Sequence, residues 1–266
     1  MRALIVLAHP EPASFNGAMK DVAVATLSGL GHGVELSDLY ALSFDPVEGP
    51  ERDRVRRDAD RFTAQTEQRH AWETGTLSPD VAAEIDKLER ADLVIFQYPM
   101  WWYGMPAILK GWLDRVLVYG GLYTSTMRYD AGYFTGRRAM LSVTTGGTEA
   151  SFAHNGRNAD IEMLLWPTNF TLHYMGYDVM PPFVAFGVEG GIQYSDPGER
   201  CLRAPRRLSS GTGATPRNAR RDQADALQRV GTTGTRRGVS NRAGRATAPS
   251  CAPSHDEGFC AVTFTA

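Results

Sequence analysis

Short apolar strands that alternate with helical spacing restrict the fold of this chain more than any other feature. The clearest is Ala3–Ala8 (ALIVLA), a continuous apolar run with β-branched residues. Such a run predicts a strand buried on both faces, because a strand with one exposed face would carry polar residues at alternate positions. Further strands are predicted at Val34–Leu39, Asp92–Tyr98, Ala139–Thr145 and Tyr177–Phe186.

Helical segments lie between these strands. Gly17–Leu30 has apolar residues at helical spacing, and a second helix is predicted from Ser78, as N-cap, through Pro79 to Arg90. A third is predicted at Pro106–Val118. This alternation predicts an α/β fold in which helices cover both faces of a parallel sheet. Residues 41–77 are polar and are predicted to be an excursion over this domain.

The charge distribution divides the chain near residue 196. Residues 1–196 contain 16 Lys and Arg against 25 Asp and Glu, whereas residues 197–266 contain 12 Arg, no Lys and 5 acidic residues. We therefore expect one domain at 1–196, followed at 197–266 by a tail rich in Arg, Ala, Gly and Pro. Such a composition buries too little apolar surface to offset chain entropy, so the tail is predicted to be largely disordered, apart from a possible short helix at Asn218–Val230.

Three interpretations of the tail remain open. It is a solvated extension, an Arg-rich arm for nucleic acid, or an out-of-frame translation of a GC-rich gene, which would explain the absence of Lys. The arginines are scattered rather than clustered with aromatic residues, which speaks against the second interpretation.

Composition excludes several classes of protein. A net charge of −2 argues against nucleic-acid binding by the whole chain, and no apolar run has the roughly 18 residues of a membrane span. The start lacks the pattern of a signal peptide. The three cysteines, Cys201, Cys251 and Cys260, show neither a disulfide framework nor a zinc spacing, and no metal site is predicted. We therefore expect a cytoplasmic protein.

Three loops that follow predicted strands carry the candidate chemistry. In an open parallel sheet, ligands bind beyond the carboxyl ends of the strands. In His9–Asn16, Ser14 and Asn16 directly precede a helix, where free N–H groups either bind a phosphate or are capped by these side chains. In Pro99–Pro106, three adjacent aromatic residues form a wall for a planar ligand, or else pack in the core or against a second copy. In Thr144–Gly147, backbone N–H groups form an anion site or a simple glycine turn.

The segments that carry these loops resemble a known family. RALIVLAHPEPASFNGAMK, ADLVIFQYPMWWYGMPAILKGWLDRV and LSVTTGG, with SDLYAL, LSPD and LLWP, are similar to the flavodoxin-like NAD(P)H:quinone oxidoreductases of the DT-diaphorase type. The resemblance covers about residues 1–190 and leaves the last ~70 unmatched. It implies a five-stranded parallel sheet of order 2-1-3-4-5, bound FAD rather than FMN, NAD(P)H as co-substrate, quinone as acceptor, and a homodimer with shared active sites.

The resemblance also assigns site residues by position. Those implied to bind FAD are His9, Ser14, Phe15, Asn16, Ala18, Pro99, Met100, Trp101, Trp102, Tyr103, Asp114, Thr144, Thr145, Gly146 and Gly147. Those implied to line the pocket for nicotinamide and quinone are Trp102, Tyr103, Tyr123 and Tyr174.

The chain departs from the family at the catalytic edge of the flavin. Where the family has a Tyr and a His, this sequence has Phe152 and Asn158, and a pocket tyrosine is replaced by Ser125. We expect Gly146, Gly147 and Asn158 to act there, with His154 as a substitute or as an exposed loop residue. The family's C-terminal helix has no match after Gly190, so one face of the sheet is expected to lose its cover.

The resemblance implies a mechanism and an alternative. NAD(P)H and quinone would occupy one place in turn, in a ping-pong relay of hydride through flavin N5, with activity reduced but not abolished by the departures. Alternatively, the chain is a flavin-binding ancillary subunit of a potassium-efflux antiporter with little turnover.

Overall fold

A single parallel sheet forms the centre of the molecule. The computed structural model of the chain describes residues 1–52, 55–188 and 216–233. The strands are β1 (Arg2–Leu7), β2 (Gly33–Asp38), β3 (Leu93–Pro99), β4 (Arg138–Thr144), β5 (Asp178–Val179) and β6 (Phe183–Ala185). They pair in the order β2-β1-β3-β4-β5, and β6 also pairs with β4. All of these pairs are parallel, so the predicted α/β fold and strand order are confirmed.

The last predicted strand, Tyr177–Phe186, is interrupted. β5 pairs with the start of β4, and β6 pairs with its end. Between them lie Pro181 and Pro182, which have no backbone N–H to donate to a neighbouring strand. The edge of the sheet is therefore built from two short strands instead of one continuous strand.

Six helices accompany the sheet in the described residues. They are α1 (Phe15–Gly29), α2 (Ala64–Thr74), α3 (Pro79–Arg90), α4 (Ala107–Val116), α5 (Ile161–Tyr174) and α6 (Pro216–Thr233). The sequence patterns predicted α1, α3, α4 and α6. They missed α2, which lies within the polar excursion at 41–77, and α5, which contains Pro167 in its interior.

Helices cover both faces of the sheet, as predicted. Residues of β1 alternate between the faces: Leu4 and Val6 belong to the larger core with α3 and α4, while Ala3 and Ile5 belong to a smaller core with α1. Leu227 of α6 is completely buried in that smaller core. The helix thus covers the face that the sequence analysis expected to lose its cover.

The helix predicted at Asn218–Val230 is confirmed by α6. The rest of the tail, including Cys201, Cys251 and Cys260, lies outside the described residues. Its disorder and the three interpretations of its origin therefore stay predictions. Within the described residues, no helix combines the length and apolar character needed to cross a membrane.

A buried arginine ties the excursion at 41–77 to the domain. The Nη1 atom of Arg115 in α4 donates to the Asp45 carbonyl at 2.6 Å and to Asp80 Oδ2 at 2.7 Å. Burial disfavours ionisation of Asp80, but its hydrogen bonds with Arg115 and Ser78 outweigh that effect and lower the pKa of its carboxyl.

Candidate functional site

The three candidate loops meet at the carboxyl edge of the sheet. β1, β3 and β4 are neighbours in the sheet and run in the same direction, so their carboxyl ends lie side by side. The Met100 N–H donates to the Thr144 carbonyl at 2.8 Å, and the rings of His9 and Trp101 have centroids 6.2 Å apart. One edge therefore carries all three loops, as the sequence predicted.

The first loop packs closely against the start of α1. Ser14 is the N-cap residue, and its Oγ accepts the Gly17 N–H at 3.1 Å, which confirms the capping interpretation for this residue. A Cβ atom on Gly17 would lie 2.0 Å from the Pro12 carbonyl oxygen, so the position requires glycine. The Ala18 N–H donates to the Ser14 carbonyl at 2.9 Å, and the remaining first-turn N–H groups face the end of the helix, where the dipole attracts a phosphate.

Asn16 does not cap the helix but belongs to a buried network of amides and hydroxyls. Its Nδ2 donates to Thr144 Oγ1 at 3.0 Å, and its Oδ1 accepts from Gln97 Nε2 at 2.8 Å. The Nε2 atom of Gln223 in α6 lies 3.3 Å from Gln97 Oε1 and 3.0 Å from Ser142 Oγ. All five residues are buried. We call Asn16, Gln97, Ser142, Thr144 and Gln223 the polar network.

The second loop is a strained turn that presents aromatic rings to solvent. Trp101 and Gly104 exchange backbone hydrogen bonds of 2.9 and 3.0 Å, and Trp102 and Tyr103 between them have φ of 50° and 62°. Such angles disfavour bulky side chains and suit Asn-Gly in a two-residue turn. Trp102 is 96% exposed, so it does not pack in the core of this chain. We call Trp101–Gly104 the aromatic turn. A planar ligand and a second protein chain remain as its two interpretations.

The third loop has one crowded and one open glycine. A Cβ atom on Gly147 would lie 2.8–2.9 Å from side-chain atoms of Ser151, Phe152 and Asn158. At Gly146 the nearest atom would be a carbonyl oxygen at 3.7 Å, which is ordinary contact. The Gly187 N–H donates to the Gly147 carbonyl at 2.8 Å and fixes the loop against the end of β6. A ligand can therefore approach the backbone at Gly146 closely.

The structure places Phe152 and Asn158 beside Gly147, whereas His154 lies apart from them. Phe152 is buried, with its ring 6.1 Å from that of Phe186, and Asn158 donates from Nδ2 to Ser151 Oγ at 3.1 Å; both adjoin Gly147. The side chain of His154 is 91% exposed and faces Asp160, with Nδ1 3.4 Å from Oδ2. Its position agrees with the exposed-loop alternative.

The residues implied to form the substrate pocket fall in two places. Tyr123 and Tyr174 pack edge to face at 5.9 Å and line a cavity of 570 Å³, which Asp114 also lines. Asp114 accepts from Lys110 Nζ at 2.7 Å. Trp102 and Tyr103 lie in the aromatic turn and do not line this cavity.

The sequence analysis missed three members of the polar network. Gln97 and Ser142 are polar residues in the otherwise apolar segments DLVIFQY and AMLSVTT, and they are direct partners in the pairing of β3 with β4. A polar side chain in a strand buried on both faces needs a hydrogen-bond partner, and this was the available signal. Gln223 gave no comparable signal, because a glutamine in a polar helix is usually exposed.

The sequence and fold of this chain are similar to those of known proteins. A family model described as flavodoxin-like fold matches residues 1–204. NAD(P)H dehydrogenase [quinone] 1 of Cavia porcellus is 44% identical over 189 residues, which is 70% of this chain and 69% of that protein. The crystal structure of a quinone reductase from Klebsiella pneumoniae has a TM-score of 0.72 and 34% identity, and the match covers 89% of this chain and 85% of that one.

A shorter match concerns an ancillary protein. The glutathione-regulated potassium-efflux system ancillary protein KefF of Enterobacter sp. strain 638 is 39% identical over 104 residues. This match covers 39% of this chain and 56% of that protein.

Proposed function

This chain belongs to the flavodoxin-like fold family, and we propose that it is a flavin-dependent NAD(P)H dehydrogenase that reduces quinones by two electrons. The names of its relatives support this activity, and the geometry supports a flavin at the carboxyl edge of the sheet. The observation that carries the proposal is the meeting of three loops there, joined by the Asn16–Thr144 hydrogen bond of 3.0 Å.

The residues present fit a flavin dinucleotide. The start of α1 offers backbone N–H donors for a pyrophosphate, and the loop at Gly146 leaves its backbone open to a ring edge. A Cβ at Gly147 would displace its neighbours, so the loop keeps its shape only with glycine there. We propose FAD over FMN because the family that the chain resembles uses FAD.

Each loop has its own part in this proposal. His9, Phe15 and Ala18 line the diphosphate end with the N-terminus of α1. Pro99, Met100 and the aromatic turn flank the ring. The N–H groups of Gly146 and Gly147, with the Asn158 amide beside them, stabilise negative charge at the polar edge of the ring. The assigned pocket residues Tyr123 and Tyr174, with Asp114, line the 570 Å³ cavity.

The protein supplies orientation, and the cofactor supplies the redox chemistry. A flavin held by these loops would supply two-electron hydride chemistry at its N5 atom between NAD(P)H and a quinone, for which the chain would provide one binding place used in turn. Phe152 cannot donate a hydrogen bond, and Asn158 can donate but cannot take up a proton. We therefore propose turnover below that of an enzyme with a Tyr and a His at these positions.

Two copies of the chain would cover the exposed aromatic surface. Besides Trp102, α5 exposes Met163, Trp166 and Phe170, and the rings of Trp166 and Phe170 stack with centroids 5.9 Å apart. Contiguous exposed apolar side chains mark interaction surfaces. We include a homodimer in the proposal on this ground.

The visible spectrum of the purified protein, with the mass of the cofactor released by heat, tests flavin presence and identity together. NAD(P)H should then bleach the bound flavin, and a simple benzoquinone should restore it. Gly147→Ala should reduce flavin occupancy severalfold, because its Cβ collides with Ser151, Phe152 and Asn158. Gly29→Ala is the matched control, since nothing lies within 4 Å of its Cβ. Protein that binds flavin but does not reduce a quinone would contradict the activity.

The ancillary-subunit alternative is supported by the shorter match to KefF alone. It predicts bound flavin without turnover, together with co-purification of a membrane transporter. Turnover in the assay above decides against it.

A further inference from the structure

We propose that Gln223 of α6 is a positioning residue for the flavin site, acting through Gln97 on Asn16 and Thr144. The inference rests on the proposed function, because it concerns the binding of flavin at the start of α1. Gln223 lies beyond residue 204, where the match to the family model ends.

An unbroken series of hydrogen bonds connects Gln223 to the flavin loops. From Gln223 Nε2 the series runs through the Gln97 amide to Asn16, with donor–acceptor distances of 3.3 and 2.8 Å, and on to Thr144 Oγ1 at 3.0 Å. Asn16 is the last residue of the first loop and the second residue of α1, and Thr144 ends β4 and begins the third loop. The series therefore fixes two proposed cofactor-binding loops relative to each other, starting from a helix that packs against α1 and the sheet.

Fixing the Gln97 amide is the essential step. Its Nε2 must face Asn16 Oδ1, so its Oε1 must point away, toward a donor on the other side. The Gln223 amide provides that donor, and Ser142 Oγ holds the same nitrogen at 3.0 Å. Without the Gln223 donor, the Gln97 amide loses the partner that orients it. The Asn16 Oδ1 atom then no longer has a donor held in a fixed position.

Helix docking does not require Gln223. Its Oε1 is buried and has no hydrogen-bond partner among the described residues, which a side chain serving only to dock the helix would avoid. The apolar anchor is Leu227, one turn further along, which is completely buried against α1 and the sheet. Leu227 therefore docks the helix on the domain, whereas Gln223 orients the polar network.

A second side chain of α6 contacts the first candidate loop. The guanidinium of Arg220 lies over the ring of Phe15, 5.4 Å from its centroid. Phe15 is the first residue of α1 and one of the residues assigned to the flavin. Arg220 and Gln223 lie one turn apart, so one face of α6 contacts both Phe15 and the polar network.

The test compares two variants of the same helix in the full chain. Gln223→Leu removes the amide but keeps a side chain of similar size, and Leu227→Ala weakens docking but keeps the amide. We expect Gln223→Leu to raise the Kd of FAD about fivefold with little change in Tm. Leu227→Ala should lower Tm substantially and change the Kd less than twofold. The Kd is measured by titration of the apoprotein with FAD, followed by quenching of flavin fluorescence.

A double-mutant cycle tests whether Gln223 acts on Asn16 through Gln97. If it does, Gln223→Leu should raise the Kd of FAD little further in a Gln97→Leu background. A full additional effect in that background would overturn the path. The side-chain amide signals of Asn16 in the 15N NMR spectrum of the apoprotein give a readout that needs no flavin: Gln223→Leu should shift them, and Leu227→Ala should not.

The outcomes separate this inference from the proposed function. If the wild type and Gln223→Leu bind FAD equally well and the Asn16 signals do not move, the inference is overturned and the proposed function stands. Wild-type protein that binds no flavin overturns the proposed function, while the Asn16 signals still show whether Gln223 positions that residue.

Discussion

The aromatic turn and the polar network lie at the same edge of the sheet but are built on opposite principles. The turn is exposed and strained: Trp102 and Tyr103 hold positive φ angles in solvent. The network is buried and uncharged, and each member is held by hydrogen bonds to other members. Strain in an exposed turn costs stability, whereas a buried hydrogen-bonded network fixes the geometry of the loops it joins.

This difference explains why one region was visible in the sequence and the other was not. Three adjacent aromatic residues cannot all enter a core, so the sequence marks the turn by itself. A buried glutamine looks like any other glutamine until its neighbours are known. Variants that disturb one region should therefore leave the other measurably unaffected.

Asn16→Leu should have the largest effect, because Asn16 is the centre of the polar network. Gln97 Nε2 and Thr144 Oγ1 would lose their partner in a buried site. We expect the free energy of unfolding to fall by about 3 kcal/mol and flavin to be lost on purification, as measured by urea denaturation and the visible spectrum. Gly29→Ala, at the other end of the same helix, is the control and should keep both stability and flavin, because nothing lies within 4 Å of its Cβ. Retention of flavin in Asn16→Leu would show that the network does not shape the site.

Asp80→Asn should have the next largest effect and should act outside both regions. Burial opposes ionisation of Asp80, but Arg115 and Ser78 hold the pKa of its carboxyl below its usual range. A lowered folded-state pKa stabilises the protein above the ordinary value of about 4, and that stability is lost as pH falls through the lowered pKa. We expect the Tm of the wild type to fall once the pH drops below about 4, and the variant to be about 1–2 kcal/mol less stable at pH 7 with a shallower acid dependence.

The polar network should not share this pH dependence, because amides and hydroxyls do not titrate in that range. Thermal scans at several pH values measure the acid sensitivity of stability, and flavin fluorescence recorded alongside measures that of the flavin site held by the polar network. Equal acid sensitivity of the wild type and Asp80→Asn would contradict the assigned role of the carboxylate.

Relief of strain in the aromatic turn should have a smaller effect of opposite sign. The double variant Trp102→Asn/Tyr103→Gly places residues that favour positive φ at both positions. We expect stability to rise by about 0.5–1 kcal/mol, while KM for quinone and the Kd of flavin both rise because the rings proposed to flank the cofactor are removed. The side-chain amide signals of Asn16 in the polar network should be unchanged. Calorimetry and steady-state kinetics measure the two effects. A fall in Tm would show that the rings contribute packing that outweighs the strain.

His154→Ala should have the smallest effect. Its side chain is 91% exposed and faces Asp160 rather than Gly147. We expect kcat for quinone reduction to stay within about twofold, whereas Asn158→Leu, beside Gly147, should lower it about tenfold. A large loss in His154→Ala with normal folding would place this histidine in the catalytic edge after all.

Much of the fold followed from patterning. The apolar strands were predictable because burial on both faces leaves a continuous apolar signature. Helices α1, α3 and α4 were predictable from helical spacing and start signals, whereas the strand order came from the family resemblance. Helix α5 was missed because Pro167 inside it is a breaker by local rules, although packing sustains the helix. Helix α2 was missed because its segment is polar and its amphipathic face is small.

For the candidate site, the sequence by itself determined which loops are proposed to carry it, because adjacent aromatic residues, paired glycines and a polar helix start are recognisable by residue type. Only the tertiary structure decided how those loops are held together. The partners of Asn16 lie 81 and 128 positions away in β3 and β4, and Gln223 comes from a segment with no other sign of a role. A hydrogen bond depends on distances between atoms in space, and those distances exist only once the strands and α6 have packed.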